Sequence, residues 1–326
     1  MRRNPFTAPS GAGPQFSAYV ALICVCIFWG TTYLGFRVAL ESVGPATIVC
    51  VRNLISGAIL LTWAMLHDME LPRGKDLALT GVYGILTIGI GNGALAVAEL
   101  WTPSGLASLF ITTSPFWYAG IDALLPGGDR LRGSIIVGLL VGFAGVLGLV
   151  APDAITVIQE GSFSSGGGIV LGFLLLQFSG ATWSLGSLLQ RNRKVITHPF
   201  VVAGVQQMFT GLAFIVPAIL EPQRPVWTTS AVGAVLYLAI FGGIVGYGCY
   251  MMALSRLPLA IVSIYTYVNP VVAVFLGWVW YREAFGWHEA AAMAVIFLGI
   301  WMVRRASVAV EKLRARSGAE AHQQDG

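Results

Sequence analysis

Apolar residues come along this chain in runs of roughly twenty, separated by short polar stretches, with no sustained period-two alternation. The runs are Ser17–Ala39, Pro45–Leu66, Leu77–Glu99, Ser104–Leu124 and Gly133–Val150, then Gly168–Leu189, Pro199–Leu220, Ala231–Leu254, Leu259–Trp280 and Trp287–Val303. An α-helix needs ~20 residues to cross ~30 Å of hydrocarbon, so the pattern predicts ten transmembrane helices. The fifth and tenth runs are the shortest, a difference that membrane thinning or interfacial anchoring covers. A spanning β-barrel would show segments of ~10 residues alternating apolar and polar, and that pattern is missing. The expected fold class is an all-α polytopic membrane protein.

Composition agrees: 56% of the 326 residues are hydrophobic and 10% charged, against about 25% charged in a soluble domain. Cytoplasmic loops carry an excess of Lys and Arg. An N-terminus in the cytoplasm puts fifteen of the nineteen such residues on the inner side, so both termini are expected there. The net charge of +4 then reads as an insertion signal, and no nucleic-acid partner is expected. Met1 to Pro14 lacks the small-residue cleavage pattern of a secretory signal, so the first span is expected to be retained. Cys24, Cys26, Cys50 and Cys249 all fall in spans, which indicates neither a disulfide framework nor a metal site. There is no Walker A, His-Glu-x-x-His or Gly-x-Ser-x-Gly sequence, which argues against direct ATP coupling and an intramembrane hydrolase. Neither a cofactor nor an enzymatic activity is expected.

The chain repeats itself. A shift of 154 residues superimposes Trp29 on Trp183, Arg37 on Arg191, Pro45 on Pro199, Gly57 on Gly211 and Tyr83 on Tyr237. A shift of 155 continues with Gly91 on Gly246, Gly93 on Gly248, Pro103 on Pro258 and Pro115 on Pro270. Two homologous halves are implied, with one residue inserted between the registers. Five spans per half is an odd number, so the second half enters the membrane upside down. Inverted repeats are a recurrent architecture of secondary transporters, with the binding site between the halves near mid-membrane. The expected divisions are a cytoplasmic N-terminal tail over 1–16, a first repeat over 17–151, an extracytoplasmic linker over 152–167, a second repeat over 168–305, and a basic, unstructured cytoplasmic tail over 306–326.

Pro115 and Pro270 fall near the middle of spans four and nine. Each lacks an N–H and so frees the carbonyl four residues earlier, Ile111 or Thr266. A freed carbonyl at that depth must face protein or a water-filled cavity, so two matching breaks point to a shared interior. The plainer reading is that Ser114, Thr266 or a local 3₁₀ turn satisfies the carbonyls.

Three stretches carry a family resemblance. "FWGTTYLGFRVALESVGPATIVCVRNLISG" from Phe28, "GNGALAVAELWTPSGLASLFITTSP" from Gly91 and "YTYVNPVVAVFLGWVWYREAF" from Tyr265 resemble the EamA-type branch of the drug/metabolite transporter superfamily, and most closely its YedA-like inner-membrane exporters. The likeness spans about residues 17–305. It implies a ten-helix transporter of two EamA repeats in the bacterial inner membrane. The chain departs from the pattern at Gly128-Asp129-Arg130-Leu131, where the family has Gly-Glu-Arg, and at Arg282-Glu283, where it has Gly-Glu. Both keep an acid, so an unaltered fold is expected.

Ionisable groups inside spans are functional suspects because a charge near the bilayer centre is costly. Arg52 and Glu99 lie at similar depth and could pair, either as a static packing device or with Glu99 exchanging a proton while Arg52 holds a substrate carboxylate. Asp122 is near a span end and reads as structural. A solute site needs apolar walls and a few placed hydrogen bonds. Trp29, Tyr33, Asn92 and Trp117 from the first half, with Trp183, Tyr247, Tyr265 and Asn269 from the second, are the substrate-binding candidates; interhelical hydrogen bonding is the structural alternative for both asparagines. The glycine clusters Gly81/Gly84, Gly91/Gly93 and Gly242/Gly243/Gly246 read as close helix packing. The expected activity is secondary transport, in the export direction by resemblance, of a small organic metabolite, amino acid or drug-like solute. The partners are that solute and the lipid bilayer, with protons and a homodimer left open. The competing reading is a membrane enzyme or a non-transporting binding protein.

Overall fold

Pro45 and Pro199 each open a helix at repeat-equivalent places, where a missing N–H costs nothing because the first turn has no intrahelical acceptor for it. The computed structural model describes residues 14–126, 133–160, 167–193, 197–262, 264–283 and 285–324. The first half comprises α1 (Pro14–Leu40), α2 (Pro45–Leu66), α3 (Gly74–Gly84) running through a π-helical segment (Ile85–Gly91) into α4 (Asn92–Ala98), α5 (Ser104–Ile111), α6 (Ser114–Leu124) and α7 (Gly133–Glu160). The second comprises α8 (Gly167–Asn192), α9 (Pro199–Ala213), α10 (Ile215–Leu220), α11 (Thr229–Tyr237) running through a second π segment (Leu238–Tyr247) into α12 (Gly248–Arg256), α13 (Leu259–Val262), α14 (Tyr265–Leu276) with a short π segment (Gly277–Tyr281), and α15 (Trp287–Gln324). No strand occurs among the described residues. Among the described residues six helical rods are long and apolar enough to cross a membrane, and Ile136–Leu149, Val268–Tyr281 and Trp287–Val303 are shorter apolar helices.

The π segments fall at the same place in each half and were not foreseen. Both are rich in glycine, with Gly89 and Gly91 in one and Gly242, Gly243 and Gly246 in the other. The change of repeat register from 154 to 155 falls between Tyr83/Tyr237 and Gly91/Gly246, within these segments. The extra residue of the second half is thus absorbed in its longer wide turn, consistent with π-helix being an α-helix locally widened to i→i+5.

Packing between the halves is reciprocal. A methyl group on Gly57 would come within 2.6 Å of the Met208 N, and one on Gly211 within 2.8 Å of the Leu54 N. Leu54 and Met208 are themselves repeat mates, so α2 and α9 make one contact twice, as a two-fold relation requires. Away from this contact, α7 and α15 approach through Gly138, Gly145 and Gly299, where a side chain on Gly138 or Gly145 would meet the backbone of Val303 or Ile296.

Two boundaries differ from the sequence expectation. The stretch expected as a linker from 152 is helical to Glu160, because 151–160 has no glycine to stop α7 and Pro152 is accommodated within it. The tail expected to be unstructured continues α15 to Gln324, in keeping with its many Ala, Glu, Lys, Leu, Arg and Gln residues, which favour helix. Residues 1–13 and the Gly128–Leu131 motif lie outside the described residues.

Two carboxylates tie helix starts together across the halves. Glu221 accepts from the backbone N–H of Ala46 (2.8 Å) and Thr47 (3.1 Å) and from the Thr47 hydroxyl (2.8 Å). Glu283 accepts from Ser104 N and Oγ (2.9 and 2.8 Å) and Gly105 N (2.9 Å). Both satisfy helix N–H groups that have no intrahelical partner, in charge-assisted bonds at the positive end of the helix. Arg282, where the family pattern carries glycine, has φ 52° and ψ 34°, a left-handed conformation that costs a side-chain-bearing residue about 1–2 kcal/mol. Arg282→Gly is therefore expected to change unfolding stability by less than about 1 kcal/mol, whereas the β-branched Arg282→Val should lose at least ~1 kcal/mol. Paired thermal melts in detergent check this, and equal melting of the two variants would contradict it.

Candidate functional site

Aromatic side chains from both halves meet at the centre. Trp29 of α1 packs against its repeat mate Trp183 of α8 edge to face, ring centroids 5.2 Å apart. Trp29 also lies 5.0 Å from Tyr250 and 5.1 Å from Tyr265, and Trp183 lies 6.0 Å from Tyr247. These spacings fall in the range in which aromatic pairs attract beyond simple burial. The Trp29 indole N–H donates to the Gly242 carbonyl at 3.1 Å, and Ser179 Oγ of α8 donates to the Gly91 carbonyl at 2.7 Å. Side chains of α1 and α8 thus catch carbonyls in the opposite half's π segments.

The cluster surrounds a cavity of about 70 Å³, room for several waters. Seven of the eight substrate-binding candidates line it: Trp29, Tyr33 and Asn92, with Trp183, Tyr247, Tyr265 and Asn269. Ile111 and Ser114, beside Pro115, line it as well. Pro115 and Pro270 are themselves buried. Pro115 opens α6 after a break, but Pro270 lies inside the continuous α14, so the expected break at Pro270 is not there. The Ile111 carbonyl that Pro115 frees accepts from Ser114 Oγ at 2.7 Å. The plainer reading of that break therefore holds for its carbonyl, while the break opens onto the cavity. With its amide nitrogen turned toward the neighbouring carbonyls, Asn269 donates to Cys26 O (3.2 Å) and Tyr265 O (3.1 Å), so this asparagine ties α14 to α1.

Trp117 stands outside the cavity. Its indole N–H is taken by Gln177 Oε1 at 3.1 Å, which also accepts from Thr113. The expected pairing of Arg52 with Glu99 is also absent. Arg52 lines the cavity, 5% exposed, with its guanidinium over the Phe36 ring at 4.9 Å. Glu99 lies just past the end of α4, is fully buried, and has no hydrogen-bond partner among the described residues on either carboxyl oxygen. Arg37 binds that residue by its backbone carbonyl, at 3.0 Å. Phe36, Thr32, Ser179 and Gln207 also line the wall. Sequence reasoning missed them, although Phe36 and Thr32 share α1 with Trp29 and Tyr33 at helical spacing.

A second, larger cavity of about 540 Å³ lies at the ends of α8 and α12 and is lined by Gln190, Arg191, Arg193 and Arg256 among others. A hydrogen-bonded chain runs between the two. Tyr247, on the central cavity, donates to Gln206 Oε1 at 2.5 Å, and Gln206 Nε2 donates to Gln190 Oε1, on the second, at 3.0 Å. Nearby, His198 caps α9 by accepting from Phe200 N at 3.3 Å. Burial, and then the charge of Arg256, holds its imidazole below the ordinary value of 6.5.

A family model described as the EamA-like transporter family matches residues 16–151 and again 168–305. An Escherichia coli (strain K12) protein named as the uncharacterized inner membrane transporter YedA is 29% identical over 293 residues, 89% of this chain and 90% of that one. A chloroplastic WAT1-related protein of Arabidopsis thaliana is 26% identical over 302 residues, 90% of this chain and 71% of its own. The uncharacterized transporter YdfC of Bacillus subtilis (strain 168) is 25% identical over 255 residues, 78% and 80% of the two chains. A solved crystal structure shares the fold with a TM-score of 0.65 at 23% identity, over 91% of this chain and 98% of the other.

The polar chain between the cavities makes a specific prediction. Gln206→Leu leaves the Tyr247 hydroxyl and the Gln190 amide without their buried partner, a loss of about 1–3 kcal/mol, and unlatches the partition. In a cysteine-free background, a cysteine replacing Thr32 should react several-fold faster with a water-soluble maleimide when Gln206→Leu is added. An unchanged labelling rate would show that the chain does not close the cavity.

Proposed function

This chain belongs to the EamA-like transporter family, and from that premise we propose that it is a secondary transporter that carries a small organic solute outward across a bacterial inner membrane by alternating access. The observation that carries this reading is the central cavity, walled by residues from both halves with the repeat mates Trp29 and Trp183 in contact. In this reading ten helices cross the bilayer, the repeats run over 17–151 and 168–305 in opposite orientations, and both termini are cytoplasmic. The distribution of Lys and Arg supports the orientation, and the reciprocal contact of Gly57 with Met208 and Gly211 with Leu54 supports the two-fold relation. The inner-membrane assignment is carried over from the name of the Escherichia coli relative.

That orientation gives the two ends of the protein different parts. The Glu221 and Glu283 ties belong to the outer end, and Arg191, Arg193 and Arg256 surround an inner vestibule. The carboxylate ties act as the outer gate and the Tyr247–Gln206–Gln190 chain as the inner one, so each half-cycle breaks one set while the other holds. Mid-membrane breaks at Thr112–Thr113 and before Tyr265 supply joints about which the halves rock, as in other inverted-repeat carriers. Glu99, buried with both oxygens free of donors among the described residues, is the group placed to take up and give off a proton during the cycle.

Reconstituted protein tests the reading directly. With a solute identified by growth rescue against toxic amino acids and metabolites, liposomes should show counterflow of that solute chemically unchanged. Conversion of the solute to a product, with no counterflow, would replace the carrier by an enzyme. In the same assay Glu99→Gln should flatten the dependence of transport on pH. A wild-type pH profile in that variant would leave Glu99 with a structural role only.

A further inference from the structure

The central cavity holds one ionisable side chain of formal charge at neutral pH among the described residues that line it, and that group is a cation, Arg52. Among the described residues its guanidinium is given no carboxylate and no hydrogen bond; it lies over the face of Phe36. A buried charge without a counter-ion is strongly unfavourable, more so than a neutral residue of similar volume. Leaving one in place makes sense where something else arrives to pair with it.

The repeat supplies an internal control. A shift of 154 places Arg52 on Gln206 and Phe36 on Gln190, and a shift of 155 places Asn92 on Tyr247. In the second half this trio is closed, with Tyr247 donating to Gln206 and Gln206 to Gln190. In the first half neither bond has a counterpart: Phe36 offers no acceptor, Asn92 forms no bond to Arg52, and both Asn92 and Arg52 face the cavity. The same three positions are self-satisfied in one half and open, with a positive charge, in the other.

Aromatic walls alone would suit an organic cation, but Arg52 in the same cavity repels one. The wall contains no Asp or Glu to receive an ammonium group, and Glu99 is not part of it. We infer that the central site takes a small organic monoanion, its carboxylate against Arg52 and its apolar body on the Trp29, Trp183 and Tyr265 rings, in preference to zwitterions and cations. This deepens the transporter reading and rests on it only for the statement that the ligand is cargo.

Four probes that share a phenyl ring and differ in the charged groups they carry test the assignment by equilibrium binding to purified protein: benzoate (anion), benzamide (neutral), benzylamine (cation) and phenylglycine (zwitterion). Benzoate should bind at least about tenfold more tightly than benzamide, the worth of one charge-assisted contact, and more tightly than the other two. Arg52→Gln should bring benzoate and benzamide within about twofold, while Arg52→Lys retains a preference for the anion. Without ligand, Arg52→Gln should melt no lower than the wild type, since it removes an unpaired charge; a structural arginine would give a clear drop. The assignment is overturned by a zwitterion or cation binding as tightly as benzoate, by no probe binding, by anion preference surviving Arg52→Gln, or by such a drop in melting temperature. Selective benzoate binding without benzoate counterflow in liposomes would leave the anion site standing and remove the carrier reading.

Discussion

A backbone in hydrocarbon has no water to turn to, so each place where a helix departs from its regular hydrogen bonding must be repaired by protein. In this chain the departures are concentrated around the centre, and their repairs build the site. The α5–α6 break is closed by Ser114 on Ile111 O, and the two π segments lend carbonyls to Ser179 and Trp29. All three of these side chains, Trp29, Ser114 and Ser179, line the central cavity directly, and Ile111 beside them does too. The cavity is therefore no gap left by poor packing; it is the space around which irregular backbone is held.

The two ends are built from different chemistry. At one, carboxylates sit on helix starts, where partial positive charge and free N–H groups meet them; Val226 N donating to Ser42 O at 2.8 Å and the Tyr281–Glu41 bond add further ties. At the other, neutral amides and a phenol form a thin chain beside a wide basic mouth. Charge-assisted bonds are roughly twice as strong as neutral ones, so the ends differ in how firmly they are fastened. The glycine-mediated approach of α7 and α15 lies apart from both.

Much of this was legible in the sequence because it is local or periodic. Span positions follow from runs of apolar residues, the duplication from matched Trp, Pro and Gly, and most of the cavity wall from aromatic and amide residues in spans that the duplication makes neighbours. The failures share a cause: they turn on which of several possible partners a side chain meets. Trp117 is a plausible wall residue by type, yet Gln177, a residue with no motif around it, takes its N–H. Arg52 and Glu99 match in depth, but depth along a helix says nothing about azimuth, and Phe36 and Arg37 hold the relevant ground. The π segments were invisible as such, although the slip of one residue between repeat registers marked their location.

That slip has a consequence for how the two halves have aged. An insertion in a regular helix turns everything after it by about 100°, which would have swung Tyr247 and the residues following it away from their partners. A wide turn takes up the surplus as a bulge, so Gly248 and Ala253 still answer Gly93 and Ala98 in phase. Glycine-rich π stretches are thus where a membrane rod of this kind tolerates a change in length, and the one-residue change of register here falls at such a stretch.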